Sequence, residues 1–406
     1  MKLLICLEKL FILIILFLVI IPFKHIEYNF ENKLIRYIKI NKKIIKIKDY
    51  KQKLFLAIKY VDFLKESKKE IFYKKINKPK VSFISTVFNQ ENYLSNFIFS
   101  VQNQKLKEYE LKFVDDFSLD KSTKIIKKIK EKDKRIKMIK NKKNMGTLYS
   151  RYIGELNAKS EYIIFIDCDD FVLKDGIFNS YKYIKKKNID IVQFHTVWQD
   201  KNRISISNFS FNYEKTIYQP YLTYIHYYDI NNKKGGEYNY ALWNKLIKRK
   251  IVNKAFKWIG EKYLKEKIII HNDLIILFSL LKNANSYKYI DELGYYYYKS
   301  NKNSASSSWK HYKISNEIMH GLFTNIKFLY EKTGNTFLDK YFCIFKVQNY
   351  YNHYNKLFKY LNNIELVYIT KIFNKLINSD FITKEDKSNI LVIKALILKK
   401  VETKED

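Results

Sequence analysis

A chain of 406 residues is long enough to bury one large core or two ordinary ones, and only nine Gly and three Pro exclude a collagenous or Pro/Gly-rich disordered chain. Cys6, Cys168 and Cys343 are too few and too scattered for a disulfide framework or a zinc site. The formal net charge of +35 is spread along the chain among abundant Ile, Asn, Tyr and Phe, as in an AT-biased coding sequence, and the Lys runs lie in no nucleic-acid motif, so no nucleic-acid partner is expected.

Leu10–Phe23 is an uninterrupted apolar run, extended by Leu3–Leu7 beyond Glu8 and Lys9. Alone it is shorter than the ~20 residues a span needs, but with Leu3–Leu7 and snorkelling charges it reaches across a bilayer. A cleaved signal peptide is the rival reading. Pro22, Phe23 and Lys24 stand where a small-x-small site would follow, which favours an uncleaved single-pass anchor over residues 1–23. Lysines after the run outnumber Lys2 and Lys9 before it, which places the body in the cytoplasm of a bacterium; the body of a Golgi enzyme in a eukaryote would be lumenal.

Residues 24–79 read as a Lys-rich helical stem holding the body away from the membrane, with Leu54, Ala57, Ile58 and Val61 on one helical face. After Pro79 the pattern alternates. Strands are expected at Val81–Val87, Leu111–Val114, Ile136–Ile139, Tyr162–Ile166 and Ile191–Phe194, and helices around Leu94–Val101, Ile125–Ile129, Leu148–Leu156 and Ile177–Ile184. This order predicts an α/β fold, a mostly parallel sheet with helices on both faces and ligands at the carboxyl ends of its strands. Residues 80–200 form its first half. The second half, 201–306, is poorly patterned to about Tyr240, then carries Leu242–Lys245 and the apolar segment Ile270–Leu281; residues 307–406 read as helices.

Three features fall on one strand edge: Thr86–Asn89, Asp115–Asp116 and the acidic strand end Asp167–Asp170. Carboxylates so close together are tolerated best facing a cation, and hard oxygen donors suit Mn²⁺ or Mg²⁺. Asp167, Asp169 and Asp170 are the ligand candidates, and Cys168 between them is a small spacer. Asn144–Thr147 opens a helix with Arg151 one turn into it, and a helix N-terminus beside a guanidinium suits phosphate oxygens.

In these segments the chain resembles family 2 glycosyltransferases of the GT-A fold. VSFISTVFNQENYL is similar to that family's VSVIIPVYNEEKYL-like opening, KFVDDFSLDKS to VDDGSTDNS, NMGTLYSRYIG to its N-x-G segment, and FIDCDD to its DXD motif. The order and the spacing of about 50 residues between the acidic pairs fit the family. The resemblance covers roughly 80–200 and, more loosely, 240–306. It implies a GT-A domain over 80–306 that moves a hexose-type sugar from a nucleotide-diphosphate donor, a uridine one, to a hydroxyl of a glycan, lipid or protein, with inversion and with Mn²⁺ or Mg²⁺.

The resemblance places Thr86, Phe88 and Asn89 at the nucleoside, Asp115 or Asp116 at the base, Gly146 and Arg151 near the nucleotide, Asp167 at the ribose, and Asp169 with Asp170 on the metal. Thr86 departs from the family's Pro, Phe117 from its Gly and Tyr152 from its Asn. Asp273 stands at the family's catalytic-base position, with Asn272 replacing the usual Glu; a helix-dipole carboxylate is its alternative reading. Trp243 in the WNKL segment reads as a sugar-stacking ring or a buried core residue. Lys299, with Asn303–Ser304, resembles the family's phosphate-touching ending, and His195 reads as structural. Two rival functions are a non-catalytic GT-A domain binding sugar nucleotide or glycan, and a basic membrane-surface or nucleic-acid-binding protein.

Overall fold

The computed structural model describes residues 45–66, 74–200, 203–206, 217–218, 241–268, 272–298, 315–332 and 363–377, with single positions at 388, 391 and 395. Its first elements are α1 (Ile45–Glu66), β1 (Val81–Val87), α2 (Leu94–Gln102), β2 (Tyr109–Asp115), α3 (Ser122–Lys132), β3 (Ile136–Lys140) and α4 (Thr147–Leu156). Then come β4 (Tyr162–Asp167), β5 (Phe171–Val172), α5 (Gly176–Lys187), β6 (Ile191–Asp200), β7 (Arg203–Ile206) and β8 (Ile217–Tyr218). The remainder is β9 (Lys245–Lys248), α6 (Arg249–Ile259), α7 (Glu261–Leu264), α8 (Asn272–Asn283), β10 (Ser286–Tyr298), α9 (Ser315–Lys332) and α10 (Asn363–Ile377).

The strands of the described residues join one sheet, in the order β3-β2-β1-β4-β9-β6-β10-β5, with β7 on β6 and β8 on β10. The four strands β3, β2, β1 and β4 are parallel, as expected. Beyond them β9 runs antiparallel to both β4 and β6, while β6 and β10 are parallel to each other. Seen from β4, therefore, β6 and β10 point the same way, and their carboxyl ends reach the edge where β1, β2 and β4 end.

The strand pattern explains the two-sided core. In β4, Ile163 and Phe165 enter one apolar cluster and Ile164 and Ile166 the other. Successive side chains of a strand point to opposite faces, so a strand apolar at every position must be covered on both. One face carries α2, α3 and α5 through residues such as Phe97, Ile126 and Ile177; the other carries α4, α6 and α8 through Leu148, Phe256 and Ile275. Each such buried side chain contributes roughly 1.5–3 kcal/mol. Helix α4 lies so close to β1 that a Cβ on Gly154 would stand 2.3 Å from Ile84 Cγ2. Only glycine allows that approach, and it brings the N-terminus of α4 onto the strand ends.

One expectation changes. Helix α1 does not stand off the body: Leu54, Ala57, Val61 and Leu64 pack against Phe171, Leu173, Val197, Ile206 and Tyr296. The apolar face read from the sequence is real, and it is used against β5, β6, β7 and β10. Strand β10 is not among the strands expected from the sequence: its bulged middle, between Tyr289 and Leu293, carries Asp291 and Glu292 and breaks the apolar alternation. The C-terminal helices share the α6–α8 core through Phe328, Leu329, Ile369, Ile372 and Phe373. No helix among the described residues is long and apolar enough to cross a membrane; Leu10–Phe23 lies outside them.

Candidate active site

The loops after β1 and β2 are tied together by hydrogen bonds from one to the other. The Asp116 N–H donates to Val87 O (2.8 Å), the Asn89 N–H to Ser118 Oγ (3.1 Å), and the Leu119 N–H to Asn89 Oδ1 (2.9 Å). Asn89 takes a left-handed φ of 53°, which asparagine tolerates better than most residues. Thr86, half-buried, lies opposite Asp167 in the β1–β4 register, and its carbonyl accepts the Cys168 thiol at 3.3 Å. Phe88 is 45% exposed at this edge.

The first acidic pair is turned into the protein. Asp115 accepts the Ser118 N–H (3.0 Å) and the Thr123 hydroxyl (2.9 Å). Asp116 accepts the Met145 N–H, the Gly146 N–H and Asn141 Nδ2, each at 2.8 Å. Both carboxylates are buried, and this engagement is a different employment from the base contact expected of one of them. Asp116 fixes the loop that leads into α4. Gly146, at φ 85°, ends that loop, and a Cβ there would sit 2.9 Å from Ile268 O.

The second acidic group is built on β10. Tyr295, fully buried, donates its hydroxyl to Asp170 Oδ2 (2.8 Å) and accepts the Asp167 N–H (3.1 Å), while the Tyr298 N–H donates to Asp170 Oδ1 (2.7 Å). Burial, with Asp169 and Asp167 nearby, pushes the Asp170 carboxyl well above the usual range. Burial likewise pushes up the Cys168 thiol, consistent with a spacer. Trp243 stacks on Tyr295 at 4.7 Å and 11° and on Tyr297 at 5.6 Å and 20°, so of its two readings the buried one holds.

Arg151 joins the two halves. Buried on α4, it donates to Asp167 Oδ1 from Nη2 (3.1 Å) and from Nη1 to Asp273 Oδ1 and Asn272 Oδ1 on α8. Burial opposes the guanidinium charge, but Asp273 and Asp167 outweigh it. The Asp167 and Asp273 side chains keep 33% and 27% exposure, so both carboxylates face outward while anchored from behind. Burial pushes the Asp167 carboxyl up to about 6; Arg151 opposes the shift, and Asp273 and Asp169 add to it. Asn272 in place of Glu gives Arg151 a neutral acceptor and spares the cluster a further carboxylate.

The sequence reading named Lys245 only within its segment. It is buried just inside β9, donates to Ala241 O (2.6 Å) and Asn244 Oδ1 (2.8 Å), and burial lowers its ammonium to about 7 against the pull of Asp273. A lone lysine inside the apolar run Ala241–Ile247 was the available signal. His195 pairs with Asp291 at 3.3 Å, tying β6 to β10 away from the acidic turn. Lys299, Asn303 and Ser304 lie outside the described residues.

Among the described residues, no group of three or more His, Cys, Asp or Glu side chains is set to hold a metal by itself. Asp169 and Asp167 nevertheless offer hard oxygen donors side by side, and Asp169 with Asp273 adds to the rise that burial imposes on the Asp167 carboxyl. Such a partial set suits Mg²⁺ or Mn²⁺, which commonly take one or two carboxylates and complete their shell with substrate phosphates. Asp170 fits less well, because both of its oxygens are bound to β10.

Residues 82–256 match the model of Glycosyl transferase family 2. An uncharacterized glycosyltransferase of Haemophilus influenzae is 38% identical over 28% of this chain and 46% of its own length, so the chain spans about half of that relative. The cholesterol galactosyltransferase of Borreliella burgdorferi is 26% identical over 72% of this chain and 77% of its own. The crystal structure of S. aureus TarS 1-349 in complex with UDP-GlcNAc superposes with a TM-score of 0.56 over 79% of this chain and 89% of that one, at 15% identity, and shares the α/β GT-A-like fold. Residues 82–256 of this chain therefore belong to a glycosyltransferase domain of family 2.

Proposed function

We propose that the protein transfers a sugar from a nucleotide-diphosphate donor, a uridine one, to an acceptor hydroxyl in a single inverting displacement. The observation that carries this reading is Arg151, which holds the Asp167 carboxylate of the acidic turn and the Asp273 carboxylate of α8 to one guanidinium. A donor-side carboxylate and an acceptor-side base thus share one fixed anchor.

In this reading Asp273 takes the proton from the acceptor hydroxyl as its oxygen attacks the anomeric carbon and the carbon–diphosphate bond breaks. Arg151 orients Asp273 and sets positive charge beside the departing diphosphate. Asp169 with Asp167 would hold Mn²⁺ or Mg²⁺, which supplies Lewis-acid stabilisation of the leaving group when bound. Thr86, Phe88 and Asn89 border the nucleoside, Asp116 and Gly146 shape the loop beneath it, and Asp170 positions the turn. An N-terminal membrane anchor fits a lipid or envelope-glycan acceptor, and the relative named for cholesterol makes a sterol one arm of the acceptor test.

A donor panel on the purified chain, with and without Mn²⁺, scored for released nucleotide and transferred sugar, tests the reading. Asp273→Asn is expected to keep donor binding and lose about 10²–10⁴-fold in turnover. Wild type that binds a donor without turning it over on any acceptor would favour the non-catalytic rival, and no binding of any sugar nucleotide would sink the proposal.

A further inference from the structure

Phe117 is a residue at odds with its surroundings. It takes a φ of 71°, a left-handed backbone that bulky side chains rarely adopt and glycine adopts freely. Its ring is 40% exposed, so the strained position is not explained by core packing. The family's segment carries Gly at this place, which sharpens the oddity.

The neighbours of Phe117 indicate a use for the ring. Asp116 N–H bonds Val87 O and Asn89 N–H bonds Ser118 Oγ, so the residues between these ties, Phe88 and Phe117, lie opposite each other on adjoining loops. Both rings are exposed at the strand edge that carries the acidic turn. Lys140, at the end of β3, stands 5.7 Å from the Phe117 ring centroid and 3.8 Å from Asp115 Oδ2. Asp115 and Asp116 spend their carboxylates on the protein's own groups. The site thus presents a flat planar ligand with aromatic faces and few free edge-reading groups.

Building on the proposed donor site, we propose that Phe117 is a base-stacking residue which, with Phe88 opposite, grips the nucleobase of the donor by its faces. Backbone strain at residue 117 is retained because it aims the ring at the ligand. Aromatic stacking on a base is tolerant of base identity, so affinity here comes from the ring and not from a hydrogen-bond code.

Isothermal titration of the full chain with UDP and with inorganic pyrophosphate, for wild type, Phe117→Gly and Phe117→Leu, tests this. Both variants are expected to bind UDP roughly tenfold more weakly and pyrophosphate as wild type does. The melting temperature of Phe117→Gly is expected to equal or exceed that of wild type, because glycine relieves the strain. Unchanged UDP affinity in Phe117→Gly, or equal weakening of UDP and pyrophosphate, would overturn the inference while leaving the donor site standing. Wild type that binds pyrophosphate but not UDP would overturn it too, and wild type that binds neither would overturn the donor-site reading with it.

Discussion

The Tyr295 hydroxyl stands 2.8 Å from Asp170 Oδ2 and accepts the Asp167 N–H at 3.1 Å, so one buried phenol ties together both ends of the acidic turn. The ring itself is fixed by stacking on Trp243. The acidic turn is thus set by a strand more than a hundred residues downstream, as the 128- and 125-residue separations of these bonds record.

Tyr295→Phe keeps the ring and its stack but removes the hydroxyl, leaving a buried Asp170 carboxyl short of a donor. We expect a stability loss of about 1–3 kcal/mol and a rise in donor KM, because Asp167 and Asp169 lose their fixed placement. Thermal unfolding and initial-rate kinetics check this. Wild-type KM with reduced stability would make Tyr295 a purely structural residue.

Arg151→Lys retains charge but not the fork that reaches two carboxylates and Asn272 at once. Turnover is expected to fall by about 10²-fold, the scale of misplacing a catalytic group. Arg151→Met should cost about 2–3 kcal/mol of stability, below the 3–5 of a fully enclosed pair because both carboxylates keep solvent contact. Denaturant unfolding of each variant beside wild type separates the two effects.

The strands that end at this edge are legible in the chain itself. Strand ends announced themselves at Val87, Asp115 and Asp167 because apolar runs stop abruptly at polar residues there. The partners of those residues were not readable. Asp115 bonds Ser118 and Thr123 within its own loop and the helix start after it, but nothing local says that Asp116 braces a loop 30 residues on, since that bond depends on how adjacent loops meet. Strands β9 and β10 were obscured for different reasons. Four residues of β9 carry lysine at both ends, and β10 is broken by the Asp291–Glu292 bulge. The aromatic stack behind the turn follows from their pairing and could not precede it.

Asp167 gives a pH prediction of definite sign. Its folded carboxyl is raised to about 6, chiefly by burial, so between the ordinary carboxylate range near 4 and about 6 the folded state holds more protons than the unfolded one. Its stabilising contribution is present below pH ~4 and is lost as pH rises through about 6. The difference in melting temperature between wild type and Asp167→Asn should therefore drift against wild type across that window. A difference independent of pH would mean that Arg151 neutralises Asp167 fully.

Gly146→Ala tests the loop on which α4 begins. At φ 85° an L side chain is strained, and its Cβ would meet Ile268 O at 2.9 Å, a backbone atom with little room to retreat. The expected cost is about 1–3 kcal/mol, and relief requires the Gly146 N–H to leave Asp116 Oδ2. Because α4 carries Arg151, such a shift also moves the guanidinium away from Asp167 and Asp273. Stability and turnover should then fall together through the loop, whereas Asp273→Asn leaves the loop intact and costs turnover far more than the stability lost with its share of the Arg151 pair. Crystallographic or hydrogen-exchange evidence that the Asp116 bond persists in Gly146→Ala, with turnover still lost, would show that the loop affects chemistry by a route other than Arg151.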